Sequence, residues 1–228
     1  MRRLRLRDLG LQPYLPTWQA MQSFIESRDA TTLDELWLVQ HPPVYTLGHN
    51  GDPANLLDAG DIPVVRSDRG GQITYHGPGQ LVAYALFDLK RLNIGVRGLV
   101  SGLENAVINT LASYGIRAEA RRDAPGVYVA NSKIASLGLR IRHGCSYHGL
   151  SLNVDLNLAP FRNINPCGFK NLQVTRLTDL GAPVTVQEVT VPLIGTIMQE
   201  FGFDGIQAHE PGHCHLALKE FQTAQEKP

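Results

Sequence analysis

The sequence has little of what marks several classes of protein. Its 21 Lys and Arg are matched by 21 Asp and Glu, so no net charge draws it to nucleic acid or to a membrane surface. Its longest apolar runs, such as LVAYALF at 81–87, are strand-sized and far too short to span a bilayer. The basic N-terminus, MRRLRLRDLG, is not followed by the apolar segment and cleavage site of a signal peptide. These absences predict a globular protein of the cytoplasm.

Cysteine is also scarce. Cys145, Cys167 and Cys214 are an odd number with no CxxC spacing, which argues against a disulfide framework and leaves metal binding or a reactive thiol as options. Cys214 has His213 and His215 on either side, but neighbouring residues of an extended chain point in opposite directions. We therefore expect no metal site, and we expect Cys145 and Cys214 to be structural.

What is present favours one α+β domain over residues 1–228, with about 205–228 as a weakly packed tail. Apolar periodicity predicts helices over 17–28, with Thr17 as the N-cap, and over 98–115 and 187–202. Short β-rich runs outnumber these helices and do not alternate with them regularly, which favours a mixed sheet flanked by helices over a doubly wound fold.

The stretch RGGQITYHGPGQ, at 69–80, is rich in glycine, yet it matches neither common nucleotide motif. No Lys-Ser or Lys-Thr follows the glycines as in a P-loop. Val82 stands where a dinucleotide fingerprint needs its third glycine. Two interpretations remain: a hairpin between strands, or a loop that lays its backbone along a ligand while Tyr75, His76 and Gln80 fix its orientation.

Three residues in other segments could take part in chemistry. Cys167 lies between Pro166 and Gly168, where an exposed turn is easily built, but a free thiol is only ~3% thiolate at pH 7 and needs a nearby cation or base. On local grounds alone, Lys133 at a strand start is expected to be solvated. His148, within an apolar strand, is expected to be a core histidine.

Five motifs taken together resemble the octanoyltransferase family of lipoate biosynthesis. They are HPPVYTLG, RGGQITYHGPGQL, KIASLGLRI, YHGLSLNV and NPCG, which occur in this order within residues 35–185. The resemblance implies the α+β fold of the biotin and lipoate ligases. It also implies an acyltransferase that needs no cofactor.

In that family, an octanoyl group passes from acyl carrier protein to a cysteine and then to a lysine of a lipoyl domain. The acceptors are 2-oxoacid dehydrogenase E2 subunits and the glycine cleavage H protein. The resemblance makes Cys167 the acyl-thioester nucleophile and Lys133 the residue that lowers the pKa of its thiol. It implies that the acyl pocket is lined by Arg69, Gly70, Gly71, Gln72, Ile73, Thr74, Tyr75, His76, Ser136, Leu137, Gly138, Gly149, Leu150 and Ser151.

Because both protein partners are expected to be acidic, six arginines are predicted to form a basic docking rim: Arg2, Arg3, Arg121, Arg122, Arg140 and Arg142. Three other functions stay open at this point. They are an ATP-using ligase of the same fold, a carrier-binding module without catalysis, and a hydrolase with His148 or His76 as its base.

Overall fold

The computed structural model describes residues 2–122, 124–170, 172–182 and 184–208, with only the backbone of Cys167 and Ala208. Its strands are β1 Arg3–Leu11, β2 Asp34–Gln40, β3 Val44–Leu47, β4 Val64–Arg66, β5 Ile73–His76, β6 Gln80–Leu86, β7 Glu119–Ala120, β8 Gly126–Val129, β9 Ser132–Arg142, β10 Cys145–Asn153 and β11 Gly205–Ala208. Its α-helices are α1 Tyr14–Ser27, α2 Leu89–Leu92, α3 Val96–Ser113 and α4 Val186–Phe201.

Eight strands form the large sheet, in the order β11-β1-β2-β6-β10-β9-β8-β7. Strand β1 runs parallel to β2 and β11. The other neighbouring pairs of this sheet, β2-β6, β6-β10, β10-β9, β9-β8 and β8-β7, are antiparallel. The predicted α+β fold around a mixed sheet is confirmed. The first residues of the segment predicted as a tail, 205–208, pair with β1, and residues 209–228 lie outside the described part.

A second, smaller sheet has the order β4-β3-β5. Proline cannot donate to a strand ladder, and Pro42-Pro43 end β2 just where the chain leaves the large sheet for β3. The glycine-rich stretch therefore contains a strand of its own: β5 covers 73–76, and residues 67–72 form the loop before it.

Helices cover both faces of the large sheet. The strand period of two sends Leu36 and Leu38 toward α3 and α4, and sends Trp37 and Val39 toward α1. In the described ranges no helix is both long and apolar enough to cross a membrane.

The apolar periodicity predicted the start of α4 well and the start of α1 poorly. Helix α1 begins at Tyr14, after Pro13, so the predicted N-cap at Thr17 is wrong. Thr17 lies inside the helix, and its hydroxyl donates to the Pro13 carbonyl at 2.8 Å. Helix α4 starts close to its predicted position because Thr185 and Glu188 form a capping box.

Candidate functional site

A narrow cavity lies between the loop before β5 and the paired strands β9 and β10. It encloses about 550 Å³ of empty space, mouth included. Its apolar walls come mainly from Ile73, Val82, Leu137 and Leu150, while Lys133 and Pro166 also line it. This cavity lies where the family resemblance predicts the acyl pocket, and it is called the acyl cavity below after that prediction.

Glycines let the walls of the acyl cavity approach each other closely. Gly149 pairs with Gly138 across β9 and β10, and a Cβ on Gly149 would lie 2.0 Å from the carbonyl oxygen of Ala83 on β6. The N–H of Gly70 donates to the Leu139 carbonyl at 2.9 Å, which joins the loop directly to β9. A larger residue at Gly149 would push the strands apart.

Arg69 shapes the loop from within. Its buried guanidinium donates to the Thr46 hydroxyl at 3.1 and 2.9 Å and to the carbonyls of Gly70 and Gln72 at 2.9 and 2.8 Å. Its donors therefore hold the loop together.

His76 is buried with a partner for each ring nitrogen. Nδ1 lies 2.7 Å from Gln80 Oε1, and Nε2 lies 3.3 Å from the Thr46 hydroxyl. Burial, reinforced by neighbouring His41, lowers the pKa of His76 to about 3. The ring of Tyr14 stacks on it with centroids 5.8 Å apart. A histidine so weakly basic is poorly suited to be the base of a hydrolase.

His148 belongs to a second polar network, centred on Asp68. Its Nε2 lies 2.8 Å from Asp68 Oδ1, and the same carboxylate accepts from Trp18 Nε1 at 2.9 Å, Gln22 Nε2 at 3.3 Å and the Tyr147 hydroxyl. Burial alone would raise the pKa of Asp68, but hydrogen bonds from His148 and Tyr147 hold it well below its usual range. The network joins α1, the loop before β5 and β10.

His148 is only partly the core histidine that its strand predicts. It is buried, but its φ of +59° is uncommon for a residue other than glycine, and its buried Nδ1 has no hydrogen-bond partner among the described residues. Burial lowers its pKa despite the opposing effect of Asp68. His148 pairs with Leu139, six positions along β9 from Lys133, or roughly 20 Å at the usual rise of a strand.

Lys133 is buried rather than solvated, contrary to the expectation from its local sequence. Only 2% of it is exposed, and its Nζ donates to the Pro125 carbonyl at 2.9 Å. Nearby Glu104 on α3 accepts the Gly126 N–H at 2.8 Å; burial raises the pKa of this carboxyl, while the Gly126 N–H and Lys133 oppose the rise. Gly126 leaves room for the lysine, since a Cβ there would lie 2.5 Å from Lys133 Cε.

Cys167 lies in a short 3₁₀ turn, Pro166–Gly168, which packs beside β5. The N–H of Asn165 anchors this turn by donating to the Asn55 carbonyl at 2.8 Å. Since Pro166 and Lys133 line the same cavity, the turn is part of the wall that the lysine reaches. The thiol itself is outside the described part of the chain, so its contact with Lys133 stays a prediction.

Twelve of the fourteen residues expected to line the acyl pocket do line this cavity; Gly70 and Tyr75 do not. Gly70 lies behind the wall and bonds to β9. The ring of Tyr75 packs instead against the rings of Tyr45 and Phe161, with centroids 5.6 Å apart in each case.

Sequence reasoning missed Asp68, Tyr14 and Glu104. Glu104 had a usable signal, since it falls on the same side of α3 as the core residues Val107 and Leu111. A carboxylate on the buried side of a helix needs a partner. For Asp68 and Tyr14 the local sequence contains no such signal, because their hydrogen-bonding and ring-stacking partners lie far away in sequence.

Of the other two cysteines, the described part of the chain contains only Cys145. Cys145 is buried, and burial raises the pKa of its thiol. Cys214 lies outside the described residues. Among those described, no group of three His, Cys, Asp or Glu side chains could hold a metal ion.

The six arginines expected to form one docking rim are dispersed. Arg2 and Arg3 lie at the β11 edge of the large sheet, and Arg121 and Arg122 lie at its β7 edge. Arg142, on β9, pairs with Glu26 of α1 at 2.6 Å. That part of the prediction is wrong, because the sheet order separates segments that the sequence alone could not place.

Comparison with known proteins agrees with this architecture. The family model of the lipoyl protein ligase A/B catalytic domain matches residues 13–197. The chain therefore belongs to the lipoyl protein ligase A/B family. Two solved members of this fold are a lipoate-protein ligase A bound with ATP and a bipartite lipoate protein ligase from Thermoplasma acidophilum. Both have a TM-score of 0.74 at 18% identity; they cover 96% and 97% of this chain, which covers 94% and 93% of theirs.

Within the family, the curated relatives are octanoyltransferases. The protein from Methylococcus capsulatus is 59% identical over 89% of this chain and 98% of its own length. The protein from Pseudomonas entomophila is 58% identical over 88% of this chain and 93% of its own length. The resemblance inferred from the five motifs and the prediction of an acyltransferase are confirmed.

Proposed function

We propose that this enzyme transfers an octanoyl group from acyl carrier protein to a lysine of lipoyl domains, through an acyl thioester on Cys167. The observation that supports this function best is the acyl cavity, whose partly apolar lining includes both Lys133 and Pro166, the neighbour of Cys167.

The cavity suits an unbranched acyl chain. Its lining combines three glycines with the aliphatic side chains of Ile73, Val82, Leu137 and Leu150, and polar side chains such as Arg69 and Ser151 also line it. At ~0.8 kcal/mol for each buried CH₂, a chain of eight carbons gains on the order of 5 kcal/mol from entering it.

The reaction has two steps that share one carbonyl carbon. In the first, the Cys167 sulfur bonds to the octanoyl carbonyl carbon, the donor C–S bond breaks, and the proton lost by Cys167 ends on the departing thiol. In the second, the acceptor amine forms the amide, and the Cys167 sulfur leaves and regains a proton from that amine. The ammonium of Lys133 favours the thiolate in both steps if it lies within ~4–6 Å of the sulfur.

A thioester donor removes the need for ATP, since exchange between thioesters is close to isoenergetic. The chain has no P-loop, and the guanidinium of Arg69 donates to Thr46 of β3 and to the carbonyls of Gly70 and Gln72 in its own loop. These features favour the transferase over an ATP-using ligase of the same fold.

The test is to incubate the protein with octanoyl-acyl carrier protein and to measure its mass. We expect one hydroxylamine-labile octanoyl adduct, which is lost in Cys167→Ser and kept in Cys145→Ala. Addition of a lipoyl domain should then move the octanoyl group to its lysine. An adduct that survives Cys167→Ser, or octanoate released to water faster than it reaches the lysine, would refute the proposal.

A further inference from the structure

A second depression adjoins the acyl cavity on the other side of the turn that carries Cys167. It is lined chiefly by Leu57, Leu158, Phe161, Arg162, Pro166 and Val174, and it encloses about 840 Å³, mouth included. Pro166 lines both this depression, which we call the Pro166 groove, and the acyl cavity. The two spaces are therefore neighbours across a single residue.

The chemistry of the proposed reaction requires such a neighbouring space. In a thioester the carbonyl carbon stands between the acyl chain and the sulfur of the leaving group. When the acyl chain lies in the acyl cavity with its carbonyl at Cys167, the leaving group must extend past the turn in another direction. The Pro166 groove begins there.

The groove offers unpaired backbone groups to an extended, amide-bearing chain. Val174 forms a parallel bridge with Lys133, in which the Lys133 N–H donates to the Gln173 carbonyl at 2.8 Å and the Thr175 N–H donates to the Lys133 carbonyl at 2.9 Å. In this pattern the N–H and C=O of Val174 face away from β9. They make no hydrogen bond within the part of the chain that the structure describes, and Val174 lines the groove.

The remaining walls combine apolar surface with positive charge. Leu158 and Phe161 supply aliphatic and aromatic contacts, and the exposed guanidinium of Arg162 lies at the same groove. Among the described residues that line it there is no Asp or Glu. The groove is thus suited to a chain with amides, methyl groups and a terminal anion.

We propose that the Pro166 groove binds the phosphopantetheine arm of the acyl donor, with Val174 pairing to an amide and Arg162 to the phosphate. The inference rests on the proposed function, because it assigns the place of the leaving group in that reaction. It makes the groove a donor subsite, separate from the walls that hold the acyl chain.

Three octanoyl thioesters test this assignment: those of phosphopantetheine, of pantetheine and of ethanethiol. The readout is kcat/KM for formation of the acyl-enzyme, followed by mass. We expect the wild-type protein to prefer them in that order. Arg162→Ala should lower kcat/KM for the phosphopantetheine donor roughly fivefold, the size of a partly exposed ion pair, and leave the other two donors unchanged.

Leu57→Glu places a negative charge at the groove on a residue that is 60% exposed, so the fold should tolerate it. This substitution should lower kcat/KM most for the phosphopantetheine donor and leave kcat/KM for the ethanethiol donor unchanged. The matched controls are Arg117→Ala and Val96→Glu, both exposed and neither lining the groove or the acyl cavity; they should behave as wild type.

The second half-reaction distinguishes the donor from the acceptor. Acyl-enzyme prepared with the ethanethiol donor should pass its octanoyl group to a lipoyl domain equally fast in wild type, Arg162→Ala and Leu57→Glu. Slowing of this step alone would assign the groove to the acceptor and overturn the inference, as would equal use of all three donors by the wild type. If no donor acylates the wild-type protein, the proposed function fails and this inference fails with it.

Discussion

Replacing Asp68 with asparagine removes a charge on which four side-chain donors converge. Trp18 and Gln22 reach it from α1, and Tyr147 and His148 reach it from β10. The carboxylate is 26% exposed, and hydrogen bonds to a charged group of this kind contribute about 1.5–3 kcal/mol each, although they are not additive.

Asparagine keeps one acceptor oxygen and puts an amide N–H₂ group against the other donors. We therefore expect Asp68→Asn to lower the free energy of unfolding by about 2 kcal/mol, and Asp68→Ala by about 3 kcal/mol, because alanine leaves the buried His148 imidazole without its partner. For a chain of this length, 2 kcal/mol corresponds to a Tm lower by about 4–8 °C.

The pH dependence of the free energy of unfolding is a more specific test of this role of Asp68. The pKa of Asp68 in the folded protein is held below its unfolded value of ~3.9, so its contribution is complete above that value and is lost as the pH falls below it. Urea unfolding of wild type and Asp68→Asn should show a larger gap at pH 7 than at pH 3. The exposed control Asp61→Asn should differ from wild type by less than about 0.5 kcal/mol at pH 7. Equal stability at pH 7, or a gap that does not narrow on acidification, would refute this account of the network.

Three further substitutions test other parts of the molecule. Lys133→Met should raise the pH at which Cys167 reacts with iodoacetamide, because the thiolate loses a neighbouring cation; an unchanged profile would place the two groups apart. Gly149→Ala should lower the free energy of unfolding by more than about 2 kcal/mol in urea, since its Cβ would lie 2.0 Å from the Ala83 oxygen, and wild-type stability would contradict this packing. Thr185→Ala should cost about 1 kcal/mol by calorimetry through loss of the capping box, with no change in octanoyl transfer.

The sequence predicted those features that depend on neighbouring residues. The apolar stripe of α3 and the break at Pro42-Pro43 follow from local periodicity and from the missing proline N–H. The residues predicted for the acyl pocket came from short continuous motifs of the family resemblance, and twelve of the fourteen line one cavity. Tyr75 does not line the cavity because its ring packs against Tyr45 and Phe161, which are distant in sequence and could not be placed from the motif.

Features that depend on the order of strands in the sheet could not be predicted from the sequence. Nothing near Lys133 in sequence indicates that Pro125 and Glu104 enclose it, because β8 and α3 meet it only after the sheet has formed. The supposed arginine rim failed for the same reason. Asp68 could not be distinguished from an ordinary loop carboxylate, since its partners on α1 and β10 lie 46 or more positions away.

Glycines of RGGQITYHGPGQ let the walls of the acyl cavity pack closely against each other. A phosphate cradle needs backbone N–H groups and cations that are still free to bind. Here the N–H of Gly70 donates to the Leu139 carbonyl, the guanidinium of Arg69 donates to Thr46 and to carbonyls of its own loop, and a Cβ on Gly48 would lie 2.1 Å from the Gly71 oxygen. The glycines therefore permit tight packing of one wall of the cavity against another. The proposed reactive groups come from other elements: Lys133 from β9, and Cys167 from the turn that follows β10.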